Sequence, residues 1–204
     1  MNSYITFDLE TTGLSPDSSE ILEIGAWRIE NGVSTGKFNC LVRPVSLIPK
    51  EIQRITGITN EMVEDKDRID EVLPEFMTFC GNLPFLGFSL TFDYSFLKAK
   101  SKHTGCDFTL NGTRCGIDVL KLCHKHLKGL PSYKLNLVAE YLNIALIDSN
   151  IGYHRATYDA YVTKLIYDRF LIKASTLEGV MIPENLNTVV EDKKYGKPNT
   201  QKRF

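Results

Sequence analysis

From Ile5 the stretch Tyr4-Ile5-Thr6-Phe7-Asp8-Leu9-Glu10-Thr11-Thr12-Gly13 alternates apolar and polar residues, then breaks at a glycine. A period of two is the mark of a β-strand, over residues 4–10, with Ile5, Phe7 and Leu9 on one face and Thr6, Asp8 and Glu10 on the other. Asp8 and Glu10 thus share a face, with Cα atoms roughly 6.5–7 Å apart. Like charges that close repel unless something positive lies between them. A hard divalent cation such as Mg²⁺ or Mn²⁺ is the natural occupant, because it prefers carboxylate oxygen. Taken alone, the pair also fits a strand with one wet polar face. The turn that follows, Thr11 to Asp17, contains Gly13, which lets backbone approach a ligand closely.

Working outward, residues 21–30 read as a second strand, and Asn31-Gly32 is a strong hairpin signal. A third strand runs from about Lys37 to Val42 and stops at Arg43-Pro44. Three strands joined by short turns make an antiparallel meander. Helical periodicity then takes over. Pro49 suits the first turn of a short helix through Ile55, ended by Gly57. Ile69, Val72, Leu73, Phe76 and Phe79 form a helical stripe over 69–80. Residues 84–88 are an apolar run short enough for a buried strand. Helices are expected over 92–102, 117–127, 134–142 and 156–172. Beyond about Ile182 large apolar groups become sparse, so the organisation expected is one domain over 1–182 and a tail or extended arm over 183–204. Strands first and helices mixed in later point to an α/β domain with a mixed sheet.

Bulk properties narrow the classes. The chain has 204 residues, 43% hydrophobic and 24% charged, which is ordinary for a globular protein. Twenty-four Lys and Arg against 25 Asp and Glu leave a net charge of −1. That excludes a protein gripping nucleic acid by bulk charge, though not a local basic groove. The five cysteines, Cys40, Cys80, Cys106, Cys115 and Cys123, are odd in number and form no C-x-x-C pair, so neither a disulfide framework nor a zinc site is expected. A reducing cytoplasm is the compartment this suggests. No apolar run approaches the ~18 residues of a membrane span, and the N-terminus lacks the basic region of a signal peptide, so no membrane partner is expected.

Two further acids and a histidine stand out. Asp93 follows the buried strand and opens a helix, a place where an acid is also favoured by the helix dipole alone. His154 and Asp159 lie in His154-Arg155-Ala156-Thr157-Tyr158-Asp159-Ala160. Five residues apart on one helix they would point some 140° apart, at 100° per residue. With His154 in the loop before the helix, after Gly152-Tyr153, its ring can fold toward Asp159. Ala156 and Ala160 are small enough to let that helix sit close to a sheet. A histidine near a helix start is also commonly incidental.

In this order, Phe7-Asp8-Leu9-Glu10-Thr11-Thr12-Gly13, Gly87-x4-Phe92-Asp93-Tyr94-x2-Leu97 and His154-Arg155-Ala156-x2-Asp159-Ala160 resemble the three motifs of the DEDDh (DnaQ-like) 3′–5′ exonucleases. In particular they resemble the proofreading exonucleases of bacterial replicative polymerases, the polymerase III epsilon subunit and the PolC-type domain. The likeness runs from about Ser3 to Leu171 and includes Ile48-Pro49-x-Glu51-x3-Ile55-Thr56-Gly57-Ile58-Thr59, Asp118-Val119-Leu120 and Lys134-Leu135-x-Leu137-x3-Tyr141-Leu142.

The resemblance implies a ribonuclease-H-like exonuclease fold, a five-stranded mixed sheet flanked by helices. It implies that Asp8, Glu10, Asp93 and Asp159 bind two divalent metal ions, Mg²⁺ or Mn²⁺, and that His154 deprotonates the attacking water. Leu9, Thr11, Glu51, Thr56, Ile58 and Phe92 fall where substrate would be met, with Glu51 at the position of a carboxylate that meets the 3′-OH. Phe88, Phe92 and Ile58 are candidates to stack on the terminal base. Two departures stand out: Phe88-Ser89 replaces the His-Asn of many relatives, and Thr56 stands where epsilon-type members often have histidine, as in the PolC-type pattern. The implied activity is release of nucleoside 5′-monophosphates from single-stranded or frayed DNA 3′ ends in proofreading or repair, with a DNA polymerase as a partner in trans. The same motifs serve ribonucleases that trim RNA 3′ ends, and a polymerase-binding module with a vestigial site is the non-enzymatic alternative.

Overall fold

The computed structural model describes residues 1–106, 116–144 and 155–176. His154 and the 183–204 tail lie outside them, so the structure does not bear on either expectation.

The acidic stretch is strand β1 (Tyr4–Thr11), and it is buried along its whole length. It pairs antiparallel with β2 (Ile21–Glu30), which pairs antiparallel with β3 (Val33–Leu41). The β2–β3 turn is Asn31-Gly32, with φ of 52° and 80°. Positive φ at both central residues gives the two-residue hairpin turn whose twist matches its strands, and glycine and asparagine enter that region most readily. On its other side β1 runs parallel to β4 (Phe85–Gly87), which runs parallel to β5 (Gly116–Asp118). The order β3-β2-β1-β4-β5 is the five-stranded mixed sheet that the resemblance implies.

The alternation in β1 sorts the two faces. Ile5, Phe7 and Leu9 enter a core with Val72, Leu73 and Phe76 of α3 (Ile69–Cys80) and Phe96 and Leu97 of α4 (Leu90–Thr104). The opposite face is covered by α5 (Val119–His126), α6 (Leu135–Tyr141) and the long α7 (Ala156–Thr176), with Val138, Val162 and Ile166 in its core. Two short helices, α1 (Lys50–Thr56) and α2 (Asn60–Val63), bracket a smaller apolar cluster of Leu22, Ile48, Ile58 and Val63. None of the described helices is long and apolar enough to cross a membrane.

Several boundaries differ from expectation. The third strand starts at Val33, because the tight turn lets pairing begin immediately at Glu30–Val33. Pro49 caps α1 from outside instead of forming its first turn. Phe88 is not part of the strand but turns the chain into α4, with Ser89 at φ 65°. The start of the helix expected at 117–127 is instead β5. Three residues are too few to show a period. Asp118 ends the strand, and its carboxylate accepts from the amides of Leu120 (3.1 Å) and Lys121 (3.4 Å), so the helix begins one residue later.

Candidate active site

Asp8 and Glu10 leave β1 on the face covered by α7, and both are almost fully buried. Asp159, in the first turn of α7, meets them there. One ligating oxygen from each of the three carboxylates lies within 4.8 Å of the others. Three buried or half-buried acids at this spacing form an all-oxygen donor set fitted to a divalent cation. Asp93 stands outside this trio, in the first turn of α4 and fully buried. Because β4 runs parallel to β1, that turn begins at the same end of the sheet. Oδ1 of Asp93 and Oδ1 of Asp159 are buried and accept no hydrogen bond, although both residues have other interactions.

Asp159 reaches β1 because α7 sits unusually close to the sheet. Gly25 of β2 is paired with Asp8. A Cβ built on Gly25 would fall 2.0 Å from the amide nitrogen of Thr157 and 2.2 Å from the carbonyl carbon of Ala156. Only glycine fits there. Ala156 and Ala160 of the helix are fully buried, as their small size suggested. Polar ties hold the seat: the Thr6 hydroxyl donates to the Ala160 carbonyl at 2.8 Å, and the Trp27 indole donates to the Thr157 carbonyl at 2.9 Å. Each such bond contributes a net ~1 kcal/mol.

A fourth acid shares this face. Glu23 lies directly opposite Glu10 in the β1–β2 ladder and is fully buried. Its charge is met by Arg155, one residue before α7, at 2.9 Å. Sequence reading passed over both Gly25 and Glu23. An isolated glycine within the strand pattern Ile24-Gly25-Ala26 was the available signal for a close backbone approach. Glu23, a lone acid between apolar neighbours, looks like any polar residue of a half-exposed strand.

The residues expected to meet substrate are dispersed. Leu9 and Ile58 are fully buried, Leu9 in the α3–α4 core and Ile58 in the cluster beside α1. Phe88 likewise buries its ring in the α5–α7 core and is not available to stack on a base. The Thr56 hydroxyl donates to the Ile52 carbonyl (2.9 Å) and accepts from the Ile58 amide (3.2 Å), finishing α1. The Thr11 hydroxyl donates to the Gly13 carbonyl at 2.7 Å, which shapes the turn after β1. That turn is tied to α4 by Lys100, whose ammonium donates to the carbonyls of Pro16 (3.2 Å) and Ser19 (2.6 Å). Partial burial of Lys100 lowers its pKa below the usual lysine value. Glu51 is exposed on the first turn of α1, and Phe92 is half-buried with its ring centroid 5.0 Å from that of Phe96.

Comparison with known proteins agrees with this geometry. The family model described as Exonuclease (RNase_T) matches residues 5–167. A DNA polymerase III PolC-type protein of Caldanaerobacter subterraneus subsp. tengcongensis is 35% identical over 190 residues, covering 93% of this chain but 13% of that protein. This chain thus spans only about an eighth of the PolC-type relative's length. The DNA polymerase III subunit epsilon of Aquifex aeolicus is 36% identical over 169 residues, covering 83% of this chain and 80% of that one. Among solved structures, Exonuclease X in complex with 5′ overhanging duplex DNA superposes with a TM-score of 0.66 at 24% identity, over 85% of this chain and 93% of that one, a likeness of fold. With the matched span containing nearly all of the sheet and the three clustered carboxylates, the chain belongs to the exonuclease family.

Proposed function

We propose that this chain is a metal-dependent 3′–5′ exonuclease that removes nucleoside 5′-monophosphates from single-stranded or frayed DNA 3′ ends, in proofreading or repair, beside a DNA polymerase acting in trans. The observation that carries the reading is the trio Asp8, Glu10 and Asp159 with ligating oxygens within 4.8 Å, inside the span matched by the exonuclease family. DNA is favoured over RNA because relatives at 35% and 36% identity are DNA polymerase III proteins.

Hydrolysis at the terminal phosphodiester forms a bond from water oxygen to phosphorus and breaks the bond from phosphorus to the 3′ oxygen of the preceding nucleotide. Two divalent cations, Mg²⁺ or Mn²⁺, would supply charge stabilisation for the attacking and leaving oxygens. Asp8, Glu10 and Asp159 would hold them, with Asp93 completing the set from α4. His154 would take the proton of the attacking water, a task suited to an imidazole with an ordinary pKa of about 6.5. Thr11, Glu51, Thr56 and Phe92 would position the terminal nucleotide.

The test is incubation with Mn²⁺ and 5′-labelled single strands of DNA and RNA of equal sequence. Stepwise shortening of the DNA from its 3′ end, with release of 5′-monophosphates and abolition by EDTA, is expected. Shortening of RNA alone would move the assignment to 3′ trimming of RNA. No shortening of either strand would sink the enzymatic reading and leave the polymerase-binding module.

A further inference from the structure

In the ion pair beside the carboxylate cluster, one acid engages two of the three guanidinium nitrogens of one arginine. Arg155 Nε donates to both Glu23 oxygens at 3.2 Å, and its terminal nitrogen donates to Oε1 at 2.9 Å. The Ala156 amide, the first of α7, donates to Oε2 at 3.1 Å. Glu23 has no exposed side-chain surface, whereas Arg155 retains 38%. Arg155 is also one helical turn from the cluster, because the Asp159 amide donates to its carbonyl at 3.0 Å.

The guanidinium has a second acid within electrostatic reach. Glu23 and Glu10 are direct cross-strand partners, and side chains so placed lie on the same face with Cβ atoms roughly 4.5–5.5 Å apart. The Arg155 pKa is held above its ordinary value, first by the hydrogen bonds to Glu23 and in smaller part by the charges of Glu23 and Glu10. An arginine able to pair with Glu10 would compete directly with a cation for that carboxylate.

We propose that Glu23 is a positioning residue that sequesters Arg155 and so keeps Glu10 open to a divalent cation. This rests on the reading of Asp8, Glu10 and Asp159 as a metal site. The helix seat does not depend on the pair alone, since the Thr6–Ala160 and Trp27–Thr157 bonds hold α7 independently. Glu23 therefore acts on the site mainly through charge. With glutamine in its place the hydrogen bond from Ala156 persists, one negative charge is gone, and the guanidinium turns to Glu10.

The experiment is a calorimetric titration of the metal-free protein with Mn²⁺, alongside its thermal melting. E23Q is expected to weaken Mn²⁺ binding about tenfold, the lower end of the effect seen when groups behind metal ligands are altered. In E23Q/R155Q the competing cation is gone, and affinity is expected to return close to wild type. A pair that only braces the fold would behave in the opposite way, with the double variant no better than the single. Wild-type affinity in E23Q, or equal loss in both variants, would overturn the proposal. Should E23Q not fold, R155K replaces the fork by a point charge that cannot grip both Glu23 oxygens together. Its Mn²⁺ affinity should then fall below wild type, and unchanged affinity would overturn the proposal. A wild-type protein that binds no Mn²⁺ would remove the metal-site reading beneath both proposals. Normal wild-type binding with an indifferent E23Q removes only this one.

Discussion

Asp159 is where helix and sheet chemistry meet, and its substitution separates binding from proton transfer. D159N removes a charge from the trio and is expected to weaken Mn²⁺ binding at least 100-fold by calorimetry, with a parallel loss of nuclease activity. H154A should leave Mn²⁺ affinity nearly intact while lowering turnover by roughly 10²–10⁴-fold, and should flatten the ascending limb of the pH–rate profile. Full rate with unchanged pH dependence in H154A would show that the histidine is not the base. At this scale much of the site was legible. Alternation places Asp8 and Glu10 on one face, and the family motifs join Asp159 to them. The burial of Leu9 and Ile58 was not legible, because a motif position marks where the chain passes, not which way its side chain points. In a strand buried on both faces, Leu9 points into the core.

At the scale of elements, the seat of α7 on β2 controls whether Asp159 can reach β1 at all. G25A places a methyl carbon against the helix backbone at 2.0 Å, where neither partner is a flexible side chain. The helix must shift, and overpacking of this kind costs about 3 kcal/mol. Chemical denaturation should show that loss, and Mn²⁺ affinity should fall with it. Loss of stability with normal metal binding would mean the helix can retreat without moving Asp159. The long elements were legible because periodicity needs length: β1, β2, α3 and α7 all fall close to their expected spans. β5 escaped because its three residues carry no period of their own, and its pairing with β4 is a property of the assembled sheet.

Across the whole molecule, the two faces of the sheet have different polar burdens. The β1 face toward α3 and α4 carries Ile5, Phe7 and Leu9, whereas that toward α7 carries Thr6, Asp8 and Glu10 and, beyond them, a tyrosine pair. Tyr4 and Tyr167 meet edge to face at 5.6 Å between centroids. Burial, followed by the charge of Asp168, raises Tyr167 to about 12, and burial raises Tyr4 further still. Both native values exceed the unfolded value of about 10. Their contribution to stability is therefore complete below pH ~10 and is lost as pH rises toward the native pKa values. Absorbance near 295 nm should show these two phenols ionising together with alkaline unfolding. Ionisation of all the tyrosines in one early step, with the fold intact, would contradict the buried pair.

The alternation of β1 from Ile5 to Glu10 also sets how this protein can change over generations. Core residues and the clustered carboxylates are written in the same strand on opposite parities, so one inserted or deleted residue between Ile5 and Asp8 would exchange them: Asp8 and Glu10 would face Phe76, and Leu9 would face α7. Point substitutions can adjust either set separately, but length changes in this strand strike both at once. Variation in length should therefore be confined to the turns on either side of β1, and a library of single-codon deletions scanned across residues 1–20 should lose folding and nuclease activity together between Ile5 and Glu10.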